Sequence, residues 1–142
     1  VYLNTGFGTG NYNGVKVFDG DLKEFELADV KILSEVLTLI KGSSNTGGSN
    51  IYSTATAKGA KVVLVAEDTV TNEKEFIEFG VTDDGSNIFH TEYGNLRTNY
   101  QIVVPTFEYT ATNEARLNIT LGANVPATNT VKITFSSTIT KK

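Results

Sequence analysis

Apolar and polar residues alternate most cleanly near the C-terminus. In Ala115-Arg116-Leu117-Asn118-Ile119-Thr120-Leu121 the apolar side chains fall on one face of a strand and Arg116, Asn118 and Thr120 on the other. Val131, Ile133 and Phe135 repeat the pattern against Lys132, Thr134 and Ser136. Leu117, Ile119, Leu121, Val131, Ile133 and Phe135 are therefore the expected core, with Arg116 and Lys132 outside it. Upstream, Ala60–Ala66 is an apolar run suited to a central strand, and Glu75–Val81 sets Ile77, Phe79 and Val81 on one face. Ile88–Tyr93, Gln101–Val104 and Thr106–Ala111 read as further strands. Asp68–Glu73, Asp83-Asp84-Gly85 and Gly94–Thr98 read as the turns between them. Pro105 cannot donate to a sheet ladder, so it marks an edge or a break.

The first 50 residues are patterned differently. Residues 1–14 carry glycines and asparagines without sustained periodicity and predict a short edge strand plus loops. Val15–Phe18 and Leu22–Leu27, on either side of Asp19-Gly20-Asp21, predict a hairpin. Val30, Leu33, Val36, Leu37 and Ile40 keep the spacing of one helical face, with Asp29 as N-cap and Gly42 just past the end. A short helix over residues 29–41 is expected on that basis, and Val36–Ile40 as a buried strand is the rival reading. Ser43–Asn50 reads as a polar loop. Each sheet is expected to have one buried and one solvated face. The whole predicts a single domain, 1–142, folded as a jelly-roll-like antiparallel β-sandwich of about eight strands.

Composition narrows the chemistry. The 142 residues include no Cys and one His, His90, which removes disulfides, thiolate metal sites, Cys nucleophiles and multi-His metal sites. Twelve Lys and Arg against 16 Asp and Glu give a net charge of −4, which argues against a phosphate-backbone binder, so no nucleic-acid partner is expected. No apolar run approaches the ~18 residues of a membrane span, and no membrane insertion is expected. Met is absent even at position 1, so Val1 is not a start-codon product, and the chain is either processed or a piece of a longer one. Val1–Thr5 also lacks the layout of a signal peptide.

His90 with Ser86 or Glu92 lacks a nucleophile elbow. Asp19-Gly20-Asp21 and Asp83-Asp84-Gly85-Ser86-Asn87 gather hard oxygen ligands, but neither matches a calcium loop, and such residues serve tight turns. Glu73, Glu75, Glu78 and Glu92 supply carboxylates without a spacing that singles out a glycosidase pair. Gly6-Phe7-Gly8-Thr9-Gly10 lacks the Lys of a phosphate loop. Asn118-Ile119-Thr120 is a glycosylation triplet inside a strand, and Lys16 with Asn118 or Asn129 raises an isopeptide crosslink. Tyr12, Tyr52, Tyr93, Tyr100 and Phe107 raise an aromatic, sugar-stacking platform, although Trp is absent. The expectation is no catalytic, cofactor-binding or metal residue, no cofactor, and no enzymatic activity.

One resemblance adds to this. Ala60-Lys61-Val62-Val63-Leu64-Val65, Asn72-Glu73, Asp83-Asp84-Gly85, Thr91-Glu92-Tyr93-Gly94, Ala115-Arg116-Leu117 and Thr130-Val131-Lys132-Ile133 leading to Ile139 follow one another in this order. The series resembles a β-rich module of virion structural and tail-appendage proteins from tailed phages, particularly those of marine cyanobacteria. Residues 1–50 fall outside it, and Thr82 stands where that pattern has His. The resemblance implies a structural module of an extracellular virion that acts through assembly with other virion proteins. It carries no enzymatic residues to transfer. The alternative is a carbohydrate-binding sandwich that recognises a cell-surface glycan. Ala28–Ile40 and Ile102-Val103-Val104 are more apolar than one buried face requires. A homo-oligomer, a trimer, is therefore expected to cover them unless the 28–41 segment folds over the second.

Overall fold

The computed structural model describes residues 23–142 throughout and, before them, the backbone of two short strands, β1 (Tyr2–Thr5) and β2 (Asn13–Lys16). The other strands are β3 (Glu24–Glu26), β4 (Val30–Ile40), β5 (Thr46–Ser53), β6 (Ala57–Asp68), β7 (Lys74–Asp83), β8 (Ile88–Arg97), β9 (Val103–Tyr109), β10 (Glu114–Leu121) and β11 (Thr130–Lys141). One sheet has six strands in the order β3-β4-β11-β6-β7-β8, and a second has three in the order β5-β10-β9. Every pairing is antiparallel. The sandwich expectation holds. Its six-and-three division differs from the eight-stranded double sheet of a jelly roll.

The core follows the alternation read from the sequence. Leu117, Ile119, Leu121, Val131, Ile133 and Phe135 are all buried, while Lys132 is exposed and Arg116 half-buried. Val62, Leu64 and Ala66 of β6 and Ile77, Phe79 and Val81 of β7 complete the inner face of the large sheet. Ala115, Leu117 and Ile119 of β10, with Ile51 of β5 and Val103 of β9, close on that face as one continuous cluster. Hydrophobic burial between the two inner faces holds the sheets together.

Several expectations for the first half are corrected. Residues 29–41 are not a helix. Val30–Ile40 is an eleven-residue strand paired along its length with β11, from Thr140↔Val30 to Thr130↔Ile40. The apolar positions satisfy both periods, and the long, already amphipathic β11 selects the extended one. Leu33 and Leu39 then point into the core, while Ile32, Val36 and Ile40 face outward. The expected 15–27 hairpin gives way to two other pairings, β1 with β2 and β3 with β4. Gly6-Phe7-Gly8-Thr9-Gly10, Tyr12 and Asp19-Gly20-Asp21 lie outside the described residues. Most of the expected loop 43–50 is strand β5, which hydrogen-bonds to β10 through Thr46–Asn50. Strand β8 likewise extends through the expected turn to Arg97.

One edge of each sheet is interrupted. Strand β9 is an edge and carries Pro105, opposite Ile119. Strand β8, the far edge of the large sheet, is bulged: Glu92 opposes Phe79 and Gly94 opposes Glu78, leaving Tyr93 without a partner in the ladder. A proline and a bulge are both devices that stop an edge from recruiting another strand.

Candidate functional site

The bulge in β8 builds the most distinctive surface of the molecule. By pushing Tyr93 out of register, it lays the Tyr93 ring over Gly80 of β7, and a Cβ on Gly80 would stand 2.9 Å from the ring's Cζ. Glycine here leaves the ring a flat backbone floor. Two residues before the bulge on the same outer face, Thr91 opposes Gly80, and Phe89 opposes Thr82. Phe89 is 53% and Tyr93 67% exposed, although both are large aromatics. With Ala60, Thr82 and Thr91 they line a shallow groove of ≈ 400 Å³. Lys61 opposes Gly80 from β6, and its ammonium lies 3.9 Å from the Glu78 carboxylate. The result is an apolar seat bordered by hydroxyls, an ammonium and a carboxylate.

The expected aromatic platform is otherwise dispersed. Tyr52 is buried and donates to Asp83 Oδ2 at 2.9 Å, and both burial and that carboxylate raise its phenol pKa. Tyr100 donates to Asp68 Oδ2 at 2.7 Å. Phe107 packs between Phe79, at 5.3 Å, and His90, at 5.0 Å between ring centroids. Tyr93 alone of the four described members stands free, and Phe89, which the sequence reading passed over, is its neighbour. Phe89 shares the parity of the outward residue Thr91, and that parity was the available signal.

The acidic candidates are separated and engaged. Glu75 is fully buried, ion-paired with Arg97, and accepts from the backbone N–H of Ile102 at 3.2 Å and of Val103 at 3.0 Å. Its parity matches Ile77, Phe79 and Val81, so its inward placement was legible in the sequence. Glu73 accepts from Thr98 and Asn99, and Glu78 faces outward beside Lys61. Glu92 sits opposite Phe79 on the edge strand.

Asp83 and Asp84 are turn-builders: Asp83 Oδ1 accepts from Gly85 N–H, and Asp84 Oδ1 from the N–H groups of Ser86 and Asn87. Those bonds, Asn87 first, hold the Asp84 carboxyl below its ordinary value. Among the described residues no group of three or more His, Cys, Asp or Glu side chains is placed to hold a metal ion. Asn129 gives its amide to both oxygens of Asp68, and Asn118 accepts from Arg116; the Lys16 side chain lies outside the described residues.

No protein-family model matches the sequence, and no curated protein matches it. The fold does recur in solved structures. The tailspike protein of Acinetobacter baumannii phage AM24 aligns over 80% of this chain and 26% of its own, at 12% identity and a TM-score of 0.50. The tailspike of Acinetobacter phage vB_ApiP_P1 aligns over 95% of this chain and 26% of its own, at 11% identity and a TM-score of 0.42. The tailspike gp49 of Acinetobacter baumannii bacteriophage Fri1, described as a capsular polysaccharide depolymerase, aligns over 84% and 21%, at 14% identity and 0.41. This chain thus spans about a quarter of the length of the tailspikes it is similar to.

These neighbours are phage tailspikes; they leave one expectation without support and correct another. Their phages infect Acinetobacter, and nothing links the chain to marine cyanobacteria. The expectation that the protein is not an enzyme is withdrawn, since one neighbour is described as a depolymerase.

Proposed function

We propose that this chain is a self-associating β-sandwich module of a phage tail appendage, carried on the virion and assembled with other virion proteins. The observation that supports this reading most is the two-sheet fold, shared over 80% of the chain with a phage tailspike. A homo-oligomer fits what the sandwich leaves uncovered. Ile102 and Val103 are buried within the chain while Val104 is 41% exposed, so the second of the two reasons for expecting partner copies is only partly met. The outward residues of β4 keep the first. A trimer is the state expected from the sequence. Mass spectrometry of purified tailed particles, with antibody decoration in electron micrographs, tests the location. Peptides of the chain in the particles and label at the tail are expected, and absence from the particles overturns the proposal.

A second reading is favoured by one specific observation, the Phe89–Tyr93 seat. Exposed aromatic rings beside hydroxyl, ammonium and carboxylate groups suit a sugar ring, whose C–H face stacks while its hydroxyls hydrogen-bond. A polysaccharide of a bacterial capsule is the substrate class named for one neighbour and is the first ligand to try. Calorimetric titration with capsular oligosaccharides is expected to give binding that Tyr93→Ala and Phe89→Ala each weaken at least tenfold. Gly80→Ala should weaken it too, by displacing the Tyr93 ring. Titrations flat for the unaltered chain exclude this reading.

A further inference from the structure

The outer face of the six-stranded sheet carries an apolar row that crosses five strands. Val36 of β4 pairs with Thr134 of β11, Thr134 with Val65 of β6, Val65 with Phe76 of β7, and Phe76 with Leu96 of β8. Cross-strand partners share a face, so these side chains lie in one line across the strands. Leu96 is 71% and Val36 50% exposed. Val63, two residues from Val65, and Ile32 and Ile40, on either side of Val36, widen the row. Most of the exposed large hydrophobic residues of the described chain lie on this face. An ordinary solvated sheet face carries polar residues at such positions.

We infer that a second copy of this chain packs on this face, centred on the Val36–Val65–Phe76–Leu96 row. The inference rests on the self-association proposed above and names the surface responsible. Three observations select a second copy. The first is area: five long strands about 4.8 Å apart and about 33 Å long present about 800 Å², which is about what each partner contributes to a stable interface. The second is charge. The row is bordered on one side by Lys132, Glu67 and Lys74 and on the other by Glu78 and Lys61. Both signs are present in near balance, so this face carries little net charge to repel another copy, in spite of the chain's overall −4. Charges at the rim around an apolar centre are also the usual anatomy of an interface. The third is the state of the edge on which the row ends: the Tyr93 bulge in β8 obstructs strand-to-strand addition beside Leu96, so contact there is made through the face. The Phe89–Tyr93 seat lies toward one end of the same face.

The test is sedimentation equilibrium of the intact chain at 5–100 µM, about the range in which a micromolar interface is half-populated. It compares the unaltered chain, Val65→Glu/Leu96→Glu on the row, and Val104→Glu on the outer face of the small sheet. All three substituted positions are exposed, and circular dichroism with thermal melts verifies that each variant is folded. The expected result is an oligomer for the unaltered chain and for Val104→Glu, and a 15.3 kDa monomer for the row variant. An oligomer that survives the row substitutions overturns this face while leaving self-association standing. A monomer for the unaltered chain overturns both, since the row is then covered by something other than a second copy.

Discussion

At the scale of single residues, buried polar groups define what this fold tolerates. Asp68 is buried, and burial alone raises a carboxyl pKa. Hydrogen bonds from Asn129, Tyr100 and the backbone N–H groups of Val70 and Thr71 outweigh it, so the net direction is down. A folded-state pKa below the unfolded value of about 3.9 gives stability that is present above that value and lost as pH falls through the folded one. Urea titrations should therefore find Asp68→Asn about 2 kcal/mol less stable than the unaltered chain at pH 7. The gap should narrow below about pH 4, where protonation removes the same advantage. A gap independent of pH would mean that the carboxylate is not the stabilising form. Ser137 presents the opposite case. It sits at an inward position of β11 between Phe135 and Ile139, and its hydroxyl has no partner. Ser137→Ala removes an unsatisfied group at little cost in volume and should raise stability by about 1 kcal/mol in the same titration.

At the scale of elements, the crossings between sheets matter as much as the strands. Where β10 ends, Gly122 N–H donates to the Ile102 carbonyl at 2.7 Å, and the Gly122 carbonyl accepts from Lys41 Nζ at 2.7 Å. A Cβ at Gly122 would meet the Gln101 carbonyl oxygen far inside contact distance. That neighbour is backbone, held by the same crossing and by the Glu75 contacts to Ile102 and Val103. Gly122→Ala should cost about 1–3 kcal/mol, as overpacking of a fixed backbone does. A midpoint unchanged in denaturant would show that the crossing yields. The alternation of β10 and β11 was legible because each has one buried and one solvated face. In β4 the outward positions are also apolar, so its strand pattern is blurred and a helical period emerges by coincidence. The second face of β4 explains the misreading.

For the whole molecule, the two sheets bury one continuous core, and the large sheet keeps an apolar outer face. A face covered by a second copy only in the folded state couples folding to assembly. Calorimetric scans should give a Tm that rises with protein concentration between about 5 and 100 µM, and the row variant should lose that dependence. A Tm independent of concentration in the unaltered chain counts against folded-state assembly in this range.

Sequence by itself determined the antiparallel sandwich, six residues of its core and the exclusion of thiolate and multi-His chemistry, because period-two alternation and composition are local properties. It also determined the inward parity of Glu75, although the charge of that residue drew attention toward chemistry and away from burial. Only the tertiary structure decided that Val30–Ile40 is a strand, since both periods fit and β11 chose between them. Only the structure brought Tyr93 onto Gly80, through a bulge that no residue type announces. The Val36–Val65–Phe76–Leu96 row likewise spans strands that are far apart in the chain, and its continuity is a matter of register, which pairing alone sets.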